Sequence, residues 1–137
     1  MKIKVVYQSF SGHTKRIART LASALKVEAQ NFKKAPSEDS ELLFLGGGLY
    51  AGSLDKKFAN YLQNLSTKHQ KVILFSSSAS GQRPSKLIKE ILINKGYSVD
   101  DQELFVKGRF LFLSITHPNK ADLQSVKDFA LNYVGQD

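Results

Sequence analysis

The chain predicts a doubly wound α/β fold, a five-stranded parallel sheet in the order 2-1-3-4-5 with helices on both faces, built as one domain over residues 1–137. Three observations predict it. Short apolar strand patterns alternate with segments of helical periodicity along the chain, which implies right-handed crossovers. Two strand patterns, Leu42-Leu43-Phe44-Leu45 and Val72-Ile73-Leu74-Phe75, are apolar without a break, as in strands covered on both sides. The strands that would sit centrally run into loops rich in Gly, Ser and Ala, at the end where open α/β sheets bind ligands.

Each element has its own warrant. The first strand spans about Lys2–Tyr7, and a helix follows over about Gly12–Leu25, with Ile17, Leu21 and Leu25 on one face beside Ala18 and Ala22. The second strand is expected at about Val27–Phe32. Lys33–Ser40 leaves room for a helical turn or two, near the lower limit for a crossover, and Pro36–Ser40 is its most loop-like part. The third strand, Leu42–Leu45, ends in Gly46-Gly47-Gly48. A helix over about Leu54–Leu65 turns Phe58, Ala59, Leu62 and Leu65 inward. The fourth strand, Val72–Phe75, stops at Ser76-Ser77-Ser78. The next helix opens at Pro84 or Ser85, packs Leu87, Ile88, Ile91 and Leu92, and stops at Gly96. The fifth strand lies within about Ser98–Leu113. The last helix starts near Asn119, a favourable N-cap, and packs Leu123, Val126, Phe129, Ala130 and Tyr133.

Composition narrows the chemistry. With no cysteine, the chain offers no disulfide, thiolate metal site or thiol redox centre. Met1-Lys2-Ile3-Lys4 leads into a strand and not into the apolar core of a leader, and no apolar run approaches the roughly 20 residues that span a bilayer. The expectation is a cytoplasmic protein with no membrane partner. The net charge is +8, and residues 1–35 carry eight basic residues against one acidic one. Such asymmetry reads either as a surface for an acidic partner or as a solvated face. No aromatic residues interleave the basic ones on the first helix, which speaks against nucleic acid.

The junction after the first strand carries the most chemistry. Tyr7 runs into Gln8-Ser9-Phe10-Ser11-Gly12-His13-Thr14, and a helix follows at once. Strand, hydroxyl-rich loop and helix together make a phosphate cradle, because loop N–H groups, Ser9, Ser11, Thr14 and the positive end of the helix dipole converge there. N-capping alone would also favour hydroxyls at such a turn, but three of them beside Gly12 exceed what one cap needs. A receiver domain would need acidic residues at the end of the first strand, where Gln8 and Ser9 stand. Neither G-x-x-x-x-G-K-[ST] nor G-x-G-x-x-G occurs. The histidines do not suggest a metal site: His13 lies in the loop, His69 reads as solvated, and His117 reads as a residue leading into the last helix.

The run Val5-Val6-Tyr7-Gln8-Ser9-Phe10-Ser11-Gly12-His13-Thr14-Lys15-Arg16-Ile17-Ala18 resembles the FMN-phosphate signature of the flavodoxin family. A hydroxyl, a small residue, a threonine three residues before the helical packing position and then an alanine fall in the same order. The resemblance covers essentially the whole chain in the short-chain form. Gly96-Tyr97 and His117-Pro118-Asn119 before Asp122-Leu123 resemble a bacterial subgroup of flavodoxin-domain proteins. It implies a flavodoxin-like fold and a non-covalent FMN site. Ser9, Ser11, Gly12 and Thr14 would hold the phosphate, with Phe10 and His13 adding N–H groups and shape. Gly48-Leu49-Tyr50-Ala51-Gly52 matches the segment that carries a ring-stacking aromatic. Tyr50 would lie on the isoalloxazine, stand at the surface or pack on the following helix, and Gly52 would let a peptide turn toward the flavin. The third loop, Ser76 to Arg83, lacks the second aromatic often found there. Ser77, Ser78, Ser80 and Gly81 would bond the pyrimidine edge, and Arg83 would either meet the N1/O2 side or sit in solvent.

The implied function is electron transfer as a flavoprotein, with a redox partner that is acidic at the contact surface. Two other readings stay open. One is a small FMN-dependent dehydrogenase like the protoporphyrinogen oxidases of the superfamily, although the insertions those carry near the third loop are missing here. The other is a flavin-free binding or regulatory module on the same fold. No residue stands out as an acid–base catalyst, which fits an electron carrier better than an oxidoreductase with its own substrate.

Overall fold

The structure is a computed structural model, and it describes residues 1–9, 12–50, 53–78, 85–107 and 120–134. The elements are β1 (Ile3–Tyr7), α1 (His13–Leu25), β2 (Ala29–Asn31), β3 (Ser40–Gly47), β4 (Leu49–Tyr50), β5 (Ser53–Leu54), α2 (Lys56–Gln63), β6 (His69–Ser78), α3 (Ser85–Asn94), β7 (Val99–Lys107) and α4 (Lys120–Val134). Five strands form a sheet in the order β2-β1-β3-β6-β7, and every pairing in it is parallel. Leaving aside the small antiparallel hairpin β4–β5, that is the 2-1-3-4-5 order expected.

Alternation along the strands divides the core in two. Val5, Tyr7, Phe44, Ile73 and Phe75 pack against α1 and α4 on one face. Val6, Leu43, Leu45, Val72 and Leu74 pack against α2 and α3 on the other. Successive strand side chains point to opposite faces, so strands covered by helices on both must be apolar throughout. In α1 the buried residues Ile17, Ala18, Leu21, Ala22 and Leu25 recur at helical spacing. Asp55 caps α2 by accepting from the Phe58 N–H at 3.1 Å. Gly96 ends α3 at φ 93°, a left-handed conformation that glycine adopts without a Cβ clash.

Several boundaries differ from the expectation. β2 has only three residues, all half-buried, because it is an edge strand with one neighbour. No helix forms between β2 and β3. Residues 35–39 are irregular, and the link is pinned where Lys4 Nζ donates to the Pro36 carbonyl at 2.7 Å. β6 runs from His69 to Ser78, well beyond the apolar run, because ladders with β3 and β7 hold its polar ends. On α3, Ile88 and Leu92 are buried, but Leu87 is exposed and does not pack inward as expected. The expected start of the last helix at Asn119, with His117, lies outside the described residues.

Candidate functional site

The carboxyl edge of the sheet gathers the ends of β1, β3 and β6. Gln8 extends β1 by one residue, its N–H donating to the Gly46 carbonyl at 2.9 Å. Its side chain is buried, and its Oε1 accepts from the Gly48 N–H at 3.2 Å. One glutamine thus ties the loop after β1 to the segment after β3. The next residue shapes that first loop, since Ser9 Oγ accepts from the Gly12 N–H at 3.0 Å. The Ser9 hydroxyl keeps its own proton to donate.

Gly12 is the N-cap of α1, at φ 89° and ψ −7°. The left-handed turn there suits glycine and brings no capping side chain. An α-helix leaves its first N–H groups without intrahelical acceptors, and the first turn of α1 carries no acidic residue. That end of α1 therefore presents positive potential. Thr14 is buried on this first turn. A Cβ placed on Gly48 would lie 3.8 Å from Thr14 Oγ1, so the first helix and the β3–β4 junction meet there across a van der Waals gap.

The second wall is built from glycines under aromatic rings. A Cβ on Gly47 would come within 2.7 Å of the Phe58 ring and 3.4 Å of Gln8 Oε1. Only glycine lets β3 pass between Phe58 and the Gln8 tie. Beyond it the hairpin pairs Leu49 with Leu54 and Tyr50 with Ser53. Ser76, opposite Gly47 in the ladder, is fully buried, and its Oγ has no hydrogen-bond partner among the described residues. An unpaired buried hydroxyl costs roughly 1–3 kcal/mol, which makes Ser76 a candidate position at this end of the sheet.

Of the residues the sequence singles out, Ser9, Gly12, His13, Thr14 and Gly48 are brought together at this edge. Leu49 and Tyr50 lie in the hairpin and not in a loop. Ser77 and Ser78 continue β6, paired with Val106 and Lys107, where a loop was expected. The side chains of these four residues are outside what the structure describes. Phe10, Ser11, Ala51, Gly52, Ser80, Gly81 and Arg83 lie outside the described residues altogether. Gln8, Gly47 and Ser76 were missed. The available signal was strand alternation, which puts Gln8 on the same face as Val6 at the point where β1 ends. Among the described residues no group of three His, Cys, Asp or Glu side chains could hold a metal.

His69 corrects another expectation. It is the first residue of β6 and is buried, not solvated. Its Nδ1 lies 2.6 Å from Ser40 Oγ and its Nε2 lies 2.8 Å from Thr67 Oγ1. Burial, and then the nearby Lys4 charge, hold the imidazole pKa below its usual value, against an opposing pull from Asp39.

Comparison with known proteins agrees with this architecture. An uncharacterized protein of Methanocaldococcus jannaschii is 28% identical, with 95% of this chain and 96% of that protein covered. A flavodoxin from the domain Archaea superposes with a TM-score of 0.76 at 20% identity, covering 96% of this chain and 95% of that one. Oxidised flavodoxin 2 of Bacillus cereus gives a TM-score of 0.75 at 18% identity, with 98% of both chains covered. At such identities the two structures speak for the fold alone. The family model described as a flavodoxin domain matches residues 4–114, most of the chain, and with this sheet order and these carboxyl-edge loops the protein belongs to the flavodoxin-domain family.

Proposed function

We propose that the protein binds FMN at the carboxyl edge of its sheet and serves as an electron carrier. The observation that carries this reading is the junction of Ser9, Gly12 and Thr14 with Gln8 and Gly48. The positive end of α1, free of acidic side chains and of a capping side chain, suits a phosphate dianion. Ser9 and Thr14 add hydroxyls beside it. Gln8 sets the spacing between this cradle and the hairpin that bears Tyr50, so phosphate and ring are held as one unit. The Ser76 hydroxyl, without a partner among the described residues, lies at the same edge, where a polar cofactor would give it one. Bound FMN supplies reversible electron transfer, and the protein supplies binding, orientation and charge.

The +8 net charge favours a redox partner that is acidic where it docks, with an association that weakens as salt rises. Calorimetry with FMN and with riboflavin tests the site. FMN is expected to bind far more tightly than riboflavin, which lacks the phosphate. Thr14→Val is expected to weaken FMN binding by roughly 1.5–3 kcal/mol, the worth of one hydrogen bond to a charged group. If FMN evolves no heat, or binds no better than riboflavin, the reading fails.

A further inference from the structure

A cavity of about 230 Å³ opens at the amino edge of the sheet, the end opposite the loops described above. Val6, Leu43 and Leu65 give it an apolar lining, and Lys4, Tyr61 and His69 give it polar groups. Lys4 is the unusual member. It stands on the interior strand β1 and is only 6% exposed, so a charge that composition alone would put in solvent is buried.

The Lys4 ammonium is held loosely for a buried charge. Nζ donates to the Pro36 carbonyl at 2.7 Å and to Glu38 Oε1 at 3.2 Å. An ammonium has three N–H donors, so one is left without a partner among the described residues. The Glu38 contact is long beside the roughly 2.7–2.9 Å usual for such charge-assisted bonds. Glu38 is 44% exposed and is shared with Lys2, also at 3.2 Å. If another carboxylate took its place at Lys4, Glu38 would keep Lys2. Tyr61 adds a hydroxyl with no hydrogen-bond partner among the described residues, available to a second carboxylate oxygen. His69, with both ring nitrogens on hydroxyls, brings polarity without a competing carboxylate.

We propose that this cavity is a second ligand site, selective for a small monocarboxylate with an apolar body, whose carboxylate replaces Glu38 at the Lys4 ammonium. At roughly 30 Å³ for each water-sized group, the space holds about eight non-hydrogen atoms. That is the size of hexanoate. Its chain would lie on Val6, Leu43 and Leu65, and its head would sit between Lys4 and Tyr61.

The test is an NMR titration of the full chain with sodium hexanoate, with hexanamide as the uncharged control and sodium chloride holding the ionic strength. Hexanoate is expected to move the amide signals of Leu43, Leu65 and His69 saturably, and hexanamide to bind more weakly. The exposed substitution Glu38→Gln removes the competing carboxylate and is expected to tighten hexanoate by about three- to fivefold, the worth of one exposed ion pair. Lys4→Met, which keeps the length of the stem, is expected to abolish binding. The proposal is overturned if those amides show no saturable shift, if hexanamide binds as well as hexanoate, or if Glu38→Gln leaves hexanoate affinity unchanged or weaker.

Discussion

Gly46→Ala probes how tightly the central strands are pressed together beneath the site. Gly46 of β3 lies opposite Phe75 of β6 in the parallel ladder. A Cβ added there would sit 2.1 Å from Phe75 Cε2 and within 2.5 Å of two further ring carbons. That is about 1.4 Å short of the ~3.5 Å at which two carbons meet without repulsion. The ring cannot swing away cheaply, because Phe75 is fully buried in the α1/α4 core. β3 cannot retreat either, since it is bonded to β1 and β6 along its length. Overpacking of this kind costs about 1–3 kcal/mol, and a clash this deep belongs at or above the upper end. We expect a loss of about 3 kcal/mol, or roughly 10 °C in melting temperature for a domain of this size. Urea denaturation followed by far-UV circular dichroism measures it. Phe75→Leu removes the ring atoms in question at a cost of its own of about 1–3 kcal/mol. In the double variant the two costs are expected to fall short of their sum by at least ~1 kcal/mol. Strict additivity, or a Gly46→Ala effect within about 0.5 kcal/mol of the parent, refutes the geometry.

Three further outcomes follow from particular contacts. Gln8→Leu removes the acceptor of the Gly48 N–H and is expected to cost about 1 kcal/mol of stability and to weaken FMN about three- to tenfold. Calorimetry showing unchanged FMN affinity would remove Gln8 from the site. His69 has its folded pKa held by burial below the ordinary 6.5, so the unfolded chain takes up the proton first as pH falls. Stability is therefore expected to decline as pH drops below about 6.5, and His69→Gln to flatten that decline; urea midpoints at about pH 7.5 and about pH 5.5 decide it. On the proposed FMN site, the +8 net charge is expected to favour the anionic reduced flavin. A potentiometric titration of FMN-loaded protein should give a potential that moves more negative as added salt screens the field. A potential that salt leaves unchanged would count against any role for the charge.

Much of the fold was legible because its signals are local. Lys2–Tyr7 read as a strand, Leu42–Leu45 and Val72–Phe75 read as strands covered on both faces, and Ile17, Leu21 and Leu25 read as one helix face. The structure buries Val5, Val6, Tyr7, Leu43, Phe44, Leu45 and Val72–Phe75 together with that helix face, and leaves Leu42 half-buried against the core. Gly96 read correctly as a helix stop. The β4–β5 hairpin was not legible, since strands of two residues each are too short for a periodicity to show. Nor was the helix-free path from β2 to β3, which depends on Lys4 holding Pro36 from 32 residues away. At the site, Ser9, Gly12 and Thr14 stood out by type and spacing. Gln8 and Ser76 did not, because a glutamine or serine at a strand end carries no signal until its cross-strand neighbour is known.

The order of amino acids by itself determined the alternation of strands and helices, the phosphate-cradle loop and the family to which they point, because residue type and spacing set backbone preference within a few positions. Tertiary packing alone decided which polar groups leave water. His69, expected to be solvated, and the charged Lys4 are both buried where residues 35–38 and 64–67 close over the amino edge. Burial depends on what covers a residue, and Glu38 at Lys4 and Ser40 at His69 each come from more than 25 positions away along the chain.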